Sequence, residues 1–149
     1  MKSQLRNQFK ELRNKLSEEE LTKNSDAIFK NIISSALWHQ AETIMCYLAF
    51  GKEVKTRSII EKAWQENKQV IIPVCKTATK EIIPSLLTTF DDLEPRTLGI
   101  LEPKEGKLNP ADPKMIQLAL IPGVAFDLWG HRIGFGAGDY DRFFPLLNP

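Results

Sequence analysis

Thr43-Ile44-Met45-Cys46-Tyr47-Leu48-Ala49-Phe50 is a short, nearly continuous apolar run, and Gly51 ends it. Such a run reads as a strand covered on both faces, because a strand with one wet face would alternate apolar and polar residues. Thr56 to Asn67 then fits a helix with Ile59, Ile60, Ala63 and Trp64 inward, and Gln69 to Val74 repeats the buried-strand pattern. Two buried strands joined by a helix make a β-α-β unit, whose strands should be parallel and whose crossover should be right-handed. The expected fold is therefore a three-layer α/β/α domain around a mostly parallel sheet, with ligands gathered at the carboxyl ends of the strands.

Upstream of this unit, Leu5, Phe9, Leu12 and Leu16 recur at three- and four-residue steps and predict an amphipathic helix over Lys2 to Leu16. Lys2, Arg6, Lys10 and Arg13 fall on its other faces, ordinarily a solvated surface. Ser17 followed by Glu20 is a capping-box pattern, so a second helix should start there and run through Ile28 and Ile32 towards Leu37. Downstream, Glu81 to Leu87 and Leu98 to Leu101 read as short strands, and Glu102 to Pro113 reads as loop. Gln117 to Ile121 reads as a further buried strand stopped by Pro122-Gly123, and a last helix should begin near Gly138.

The chain has 149 residues, enough for one compact domain with a proper core. Twenty basic and nineteen acidic residues leave a net charge of +1, which gives no field for steering onto nucleic acid or an anionic membrane. Any bound anion must be held by local geometry. Cys46 and Cys75 lack paired spacing and read as buried thiols in strands. The N-terminus carries no apolar signal-peptide core, and no apolar stretch approaches the roughly 20 residues of a membrane span. The expectation is a soluble cytoplasmic protein. His131 reads as an exposed loop residue, and His39 as a residue at a helix end.

Gly134-Phe135-Gly136-Ala137-Gly138 precedes Asp139-Tyr140-Asp141-Arg142 and the apolar pair Phe143-Phe144, so three alternate glycines stand where a loop enters a helix. Such a loop can bring backbone N–H groups onto phosphate oxygens; the glycines could equally serve a tight turn alone. The spacing is neither the dinucleotide fingerprint nor the P-loop. Asp141 suits a single carboxylate contact to Mg²⁺, or a carboxylate placed at a helix N-terminus.

Together, Pro122-Gly123, Ala125-Phe126-Asp127, Gly130, Arg132, Gly134, Gly136, Gly138 and Tyr140-Asp141-Arg142 resemble, in order and spacing, the signature of the 5-formyltetrahydrofolate cyclo-ligases. The similarity extends upstream through Lys2-Ser3-Gln4-Leu5-Arg6, Tyr47, Glu53-Val54, Thr56, the Asn67 to Pro73 stretch and Gly99-Ile100-Leu101-Glu102-Pro103. The resemblance implies a fold like that of ribose-phosphate isomerase and CoA-transferase domains. It also implies an ATP- and Mg²⁺-dependent ligase that closes 5-formyltetrahydrofolate to 5,10-methenyltetrahydrofolate and releases ADP and phosphate. Carried onto this chain, Lys2 and Arg6 reach ATP from the first helix. Arg132 and the loop Gly134, Phe135, Gly136, Ala137 and Gly138, with Tyr140, cradle the phosphates. Asp141 binds Mg²⁺, and Arg142 lies beside the phosphates or anchors the loop. Arg132, Asp141 and Arg142 are the candidate catalytic residues. Glu53 accepts the N–H groups of the pterin ring, while Tyr47, Phe50 and Trp129 line the apolar part of the folate pocket or pack in core and surface. A reduced folate is the implied partner of a monomer, or of an oligomer if a C-terminal sheet edge is exposed.

The chain departs from the family pattern in two respects. Asp139 stands where the family has an aromatic residue, placing a second carboxylate two residues from Asp141 in a polyphosphate site. The chain also reads as short at its C-terminus. A non-catalytic relative that keeps the nucleotide and folate pocket is accordingly the alternative reading. Ala137 replaces a small or basic loop residue, and its β-carbon requires a negative φ.

Overall fold

The computed structural model describes residues 1–136 and 138–147. Three helices, rather than two, precede the first strand: α1 (Lys2–Asn14), α2 (Glu18–Ile33) and α3 (Ala36–Gln40). The capping box forms as expected, with Glu20 N–H donating to Ser17 Oγ at 3.1 Å and Ser17 N–H to the Glu20 carboxylate at 3.2 Å. The helix that should have run on to Leu37 breaks at a serine pair. Ser34 Oγ turns back onto the Lys30 carbonyl at 2.8 Å, and Ser35 Oγ accepts from Trp38 N–H to start α3. Serine competes with the helix ladder for backbone groups in this way.

Helix α1 is rotated relative to the sequence expectation. Arg6, Lys10 and Arg13 are its half-buried residues, with Leu16 just beyond its end. Leu5, Phe9 and Leu12 are 38%, 38% and 52% exposed, and nothing in the helix is fully buried. At 100° per residue, Lys2, Arg6, Lys10 and Arg13 fall within an arc of roughly 80°. Arg6, Lys10 and Arg13 of that arc face the body of the protein while Lys2 is exposed, so apolar periodicity located the helix but placed its inward face too far round.

Strand β1 (Thr43–Cys46) is half the length of the apolar run that announces it. Beyond Cys46 the backbone leaves the sheet. Ala49 N–H donates to Thr56 Oγ1 at 3.1 Å and Phe50 N–H to the Glu53 carboxylate at 2.8 Å, so side-chain acceptors replace ladder partners. Helix α4 (Arg57–Gln65) follows, and Asn67, at φ 60°, turns the chain into β2 (Gln69–Lys76). Strand β3 (Glu81–Leu87) returns antiparallel to β2. The strand expected over Leu98 to Leu101 instead begins at Leu101, because Leu98 occupies the left-handed region at φ 59° within a turn. That turn joins β4 (Leu93–Pro95) to β5 (Leu101–Pro103), placing a short strand inside the expected loop. Strand β6 (Leu118–Leu120), the hairpin of β7 (Ala125–Phe126) with β8 (Arg132–Ile133), and helix α5 (Asp139–Phe143) complete the chain.

The main sheet runs β3-β2-β1-β6. Strand β1 pairs in parallel with both β2 and β6, and only β3 is antiparallel, as the β-α-β reading requires. Successive residues of the central strands point to opposite faces. Ile44, Cys46, Val70 and Ile72 pack with Trp38 of α3 and Ile59, Ile60 and Ala63 of α4. Met45 and Ile71 pack on the other side with Ile82, Ile116 and Phe143 of α5. Each fully buried aliphatic side chain contributes about 1.5–3 kcal/mol relative to exposure, and both faces of the sheet are covered. Cys46 is buried as expected, but Cys75 is exposed. The β1 ladder reaches only Ile71 of β2, so the end of β2 projects past its parallel neighbour. No described helix is long and apolar enough to cross a membrane.

Candidate functional site

The carboxyl ends of β1, β2 and β6 open onto two adjoining cavities that share Phe135 and Tyr140. The first, of about 200 Å³, is polar. Lys2 and Arg6 reach it from α1, Arg132 from β8, and the glycine loop and Asp141 close it. Arg6 Nε donates to the Gly134 carbonyl oxygen at 2.7 Å, which fixes α1 to the loop.

The alternate glycines have a spatial reason. A β-carbon on Gly134 would stand 2.8 Å from Arg132 Nη1, and one on Gly138 would stand 3.0 Å from Arg142 Nη1. Gly136, at φ 101°, presents its open side to the Arg6 guanidinium at 3.5 Å. Three arginines thus lie against three glycines. The backbone demands glycine at Gly136 and Gly138, both at positive φ, while the arginine tips beside the loop leave little room for side chains. Ala137 lies outside the described residues, so its φ is not part of this geometry.

The arginines have different tasks. Arg132 donates through Nη1 to the Pro122 carbonyl at 2.8 Å and through Nη2 to the Asp141 carboxylate at 3.4 Å, with Tyr140 and Phe144 stacked near its guanidinium. Arg142 lines the outer side of α5 instead of the polar cavity. It donates to the Lys80 carbonyl and, at 2.7 Å, to the Asp139 carboxylate. Of the two roles expected for Arg142, this geometry matches the loop anchor. Asp139 is therefore paired with a cation, and its other oxygen meets the Cys75 thiol at 2.5 Å. The charge problem posed by Asp139 in the sequence is locally neutralised. Burial and the Asp139 carboxylate push the Cys75 thiol up to about 12, so it is a poor nucleophile.

Asp141 keeps a side chain 74% exposed and only a long contact to Arg132. Among the described residues no three metal-ligating side chains cluster. One exposed carboxylate, held only by that long contact, is nonetheless a fitting donor for a hard dication that would take its remaining ligands from phosphate oxygens and water.

The second cavity, of about 610 Å³, is in the range of small-ligand sites. Tyr47, Phe50, Leu98, Ile100 and Pro122 give it apolar walls, and Lys10, Arg13 and Glu53 are its charged groups. Tyr47 donates to the Val54 carbonyl at 3.4 Å. Burial pushes the Tyr47 and Tyr140 phenols up, which leaves both protonated at neutral pH. Glu53 uses one oxygen to accept from Phe50 N–H, and burial raises its carboxyl above the ordinary range while that bond and Arg13 oppose the rise. A fixed, half-buried carboxylate of this kind accepts N–H groups from a ligand ring.

Lys2, Arg6, Arg132, Gly134, Phe135, Gly136, Gly138, Tyr140 and Asp141 are brought together around the first cavity, and Tyr47, Phe50 and Glu53 around the second. Trp129 is not brought to either. It is 82% exposed in the β7–β8 turn, where the Asp127 carboxylate accepts from the N–H groups of Trp129 and His131. His131 is exposed as expected, its ring against Asp127 at 2.7 Å. Sequence reasoning assigned Lys10 and Arg13 to a solvated face, whereas both line the second cavity. Their helical phase with Lys2 and Arg6 was the available signal.

The model of the 5-formyltetrahydrofolate cyclo-ligase family matches residues 1–148. A probable 5-formyltetrahydrofolate cyclo-ligase of Caenorhabditis elegans is 37% identical over 149 residues, covering 97% of this chain and 72% of the relative. The 5-formyltetrahydrofolate cyclo-ligase of Haemophilus influenzae is 29% identical, covering 95% of this chain and 76% of its own. Among solved structures, the 5,10-methenyltetrahydrofolate synthetase of Aquifex aeolicus superposes with a TM-score of 0.83 at 30% identity, over 99% of this chain and 73% of that one. The corresponding synthetase of Mycoplasma pneumoniae gives 0.74 at 25% identity, over 97% and 77%.

Proposed function

This chain belongs to the 5-formyltetrahydrofolate cyclo-ligase family, enzymes that form a carbon–nitrogen bond, and from that membership we propose that it cyclises 5-formyltetrahydrofolate to 5,10-methenyltetrahydrofolate with ATP, releasing ADP and phosphate. The observation that carries the reading is the pair of adjoining cavities sharing Phe135 and Tyr140, one polar and basic, the other apolar with a single carboxylate. A polyphosphate fits the first and a fused ring bearing N–H groups fits the second.

ATP supplies a phosphoryl group that turns the formyl oxygen into a leaving group, so that N10 of the folate can close on the formyl carbon. No nucleophilic side chain is required, and the protein contributes position and charge. Lys2, Arg6 and Arg132 neutralise the phosphates, and the loop from Gly134 to Gly138 approaches them with backbone N–H groups. Asp141 would hold Mg²⁺, which would supply further neutralisation of phosphate charge. Glu53 fixes the ring, Tyr47 and Phe50 pack against it, and Arg142 positions the loop through Asp139 and the Lys80 carbonyl.

A non-catalytic relative remains the competing reading because of Asp139, and the Arg142 ion pair weakens the objection on which it rests. The deciding experiment follows the absorbance of methenyltetrahydrofolate formed from 5-formyltetrahydrofolate and Mg-ATP, with Asp141→Ala and Asp139→Tyr alongside. Turnover that is lost in Asp141→Ala supports the enzyme. An inactive parent beside an active Asp139→Tyr would establish a lapsed site.

A further inference from the structure

Phe135 and Tyr140 form the wall that the polar and the apolar cavity share, and different elements anchor the two rings. Tyr140 comes from α5 and packs against the core that contains Phe143, with the Arg132 guanidinium carbon 5.6 Å from its ring centroid. Phe135 stands between Gly134 and Gly136 in the loop, with Lys10 Nζ 5.3 Å and the Arg13 guanidinium carbon 5.5 Å from its centroid. Cations at such distances hold an aromatic ring in place. Two hydrogen bonds join the linings elsewhere. Arg132 of the polar cavity donates to the Pro122 carbonyl of the apolar one, and the Cys75 thiol of the apolar cavity donates to the Asp139 carboxylate of the polar one. The linings therefore touch through polar contacts at two points and through the two rings at a third. Phe135 is 44% exposed, so part of its ring is open to a guest.

Resting on the cyclo-ligase reading above, we propose that Phe135 decides which nucleophile captures the activated formyl carbon, its ring set beside Tyr140 so as to keep water from the junction of the two cavities. A phosphoryl group passing from the polar cavity to a formyl oxygen in the apolar one crosses beside these rings. The transfer releases ADP and makes the formyl carbon electrophilic. Capture by N10 forms the carbon–nitrogen bond, releases the N10 proton to solvent and expels phosphate. Capture by water forms a carbon–oxygen bond instead, expels phosphate, releases a proton and returns 5-formyltetrahydrofolate. That second course consumes ATP and water and yields no methenyl product. Closing a site against water suppresses hydrolysis of a reactive intermediate in this way, while N10 keeps the advantage of being held in place. An apolar ring offers water no hydrogen bond, so Phe135 suits this task and takes no part in neutralising phosphate charge.

The test measures ADP released against methenyltetrahydrofolate formed, with saturating Mg-ATP and 5-formyltetrahydrofolate and with folate-independent ADP release subtracted. The unaltered chain should give a ratio close to one. Phe135→Ala should raise it about threefold or more by admitting water to the junction, and Phe135→Leu, which keeps apolar bulk, should stay near the parent. Phe135→Val, a smaller truncation, should raise the ratio in lesser degree and serves if the alanine variant does not fold. In heavy-oxygen water, 5-formyltetrahydrofolate recovered from Phe135→Ala should carry the label in its formyl group, and that recovered from the parent should not. A merely structural role would lower turnover without moving either readout. A ratio that stays at one in the truncated variants overturns the proposal and leaves the cyclo-ligase reading standing. Excess ADP without label in the formyl group also overturns it, since water would then be attacking phosphorus. A parent that forms neither ADP nor methenyl product overturns the cyclo-ligase reading and the role of Phe135 with it.

Discussion

Arg6 on the first helix and Gly134 in the glycine loop are 128 positions apart in sequence and joined by a 2.7 Å hydrogen bond from Nε to the carbonyl oxygen. The bond fixes the direction of the Arg6 guanidinium and leaves its terminal nitrogens for a ligand in the polar cavity. Arg6→Ala should therefore raise KM for ATP about tenfold or more, since a hydrogen bond to a charged group is worth about 1.5–3 kcal/mol. Arg6→Lys should not restore it fully, because an ammonium cannot serve the carbonyl and a phosphate with the same fork. Steady-state kinetics against ATP concentration checks both.

Gly136→Ala places a β-carbon at φ 101° and 3.5 Å from the Arg6 guanidinium. Strain of about 1–3 kcal/mol is expected at such a backbone position. The loss should fall on ATP binding, with thermal stability changed much less, because the loop lies outside both cores. Nucleotide titration together with a melting curve would separate the two effects.

On the proposed folate reading, Glu53 should set the acid limit of binding. Burial raises its carboxyl in the free protein, so it takes up a proton at a higher pH than an ordinary glutamate. Only the ionised form accepts two ring N–H groups, hence affinity should fall as pH drops, starting above the usual carboxylate range. The sign for stability is the reverse. A raised carboxyl favours the folded state at low pH, and that contribution is lost as pH rises through its folded value. In Glu53→Gln the acid limb of a plot of folate affinity against pH should disappear and overall affinity should drop.

The Cys75 thiol reports on Asp139. Its reaction with iodoacetamide at pH 8 should be slow, because partial burial and then the adjoining carboxylate push it up to about 12. Asp139→Asn removes the neighbouring charge and should speed alkylation, while buried Cys46 stays unreactive in both proteins. Mass spectrometry of the alkylated peptides over time distinguishes the two cysteines. A rate unchanged by Asp139→Asn would count against the pairing of Cys75 with Asp139.

Ser17→Ala removes the acceptor of the capping box. A loss of about 1 kcal/mol is expected, or about 2–4 °C in Tm for a chain of this size, with no effect on either cavity. Differential scanning calorimetry measures it.

Most of the sheet was legible because burial leaves a simple mark. Ile44-Met45-Cys46 and Val70-Ile71-Ile72 are apolar without alternation, which only a strand covered on both sides permits. The departures arose where a polar side chain competes with the ladder. Thr56 and Glu53 draw Ala49 and Phe50 out of β1, and the Ser34-Ser35 pair divides one helix into two. The polar half of the site was legible as a motif of alternate glycines followed by Asp141. The contacts that hold it could not be read locally, since Arg6 reaches the loop, and the Lys80 carbonyl reaches Arg142, only through the fold. Trp129 stayed open between pocket and surface because an aromatic beside a turn glycine has the same composition in either place, and in the structure it is exposed.

The inward basic face of α1 makes the docking of that helix a linked equilibrium. Three of its cations are half-buried against the protein, and none of its apolar residues is fully buried. An anionic guest supplies the counter-charge that the interior lacks, so occupancy and local order of the N-terminal segment rise together by mass action. Amide hydrogens of residues 2–14 should accordingly exchange faster than those of β1 without ligand, and gain the larger protection when nucleotide and folate saturate the protein.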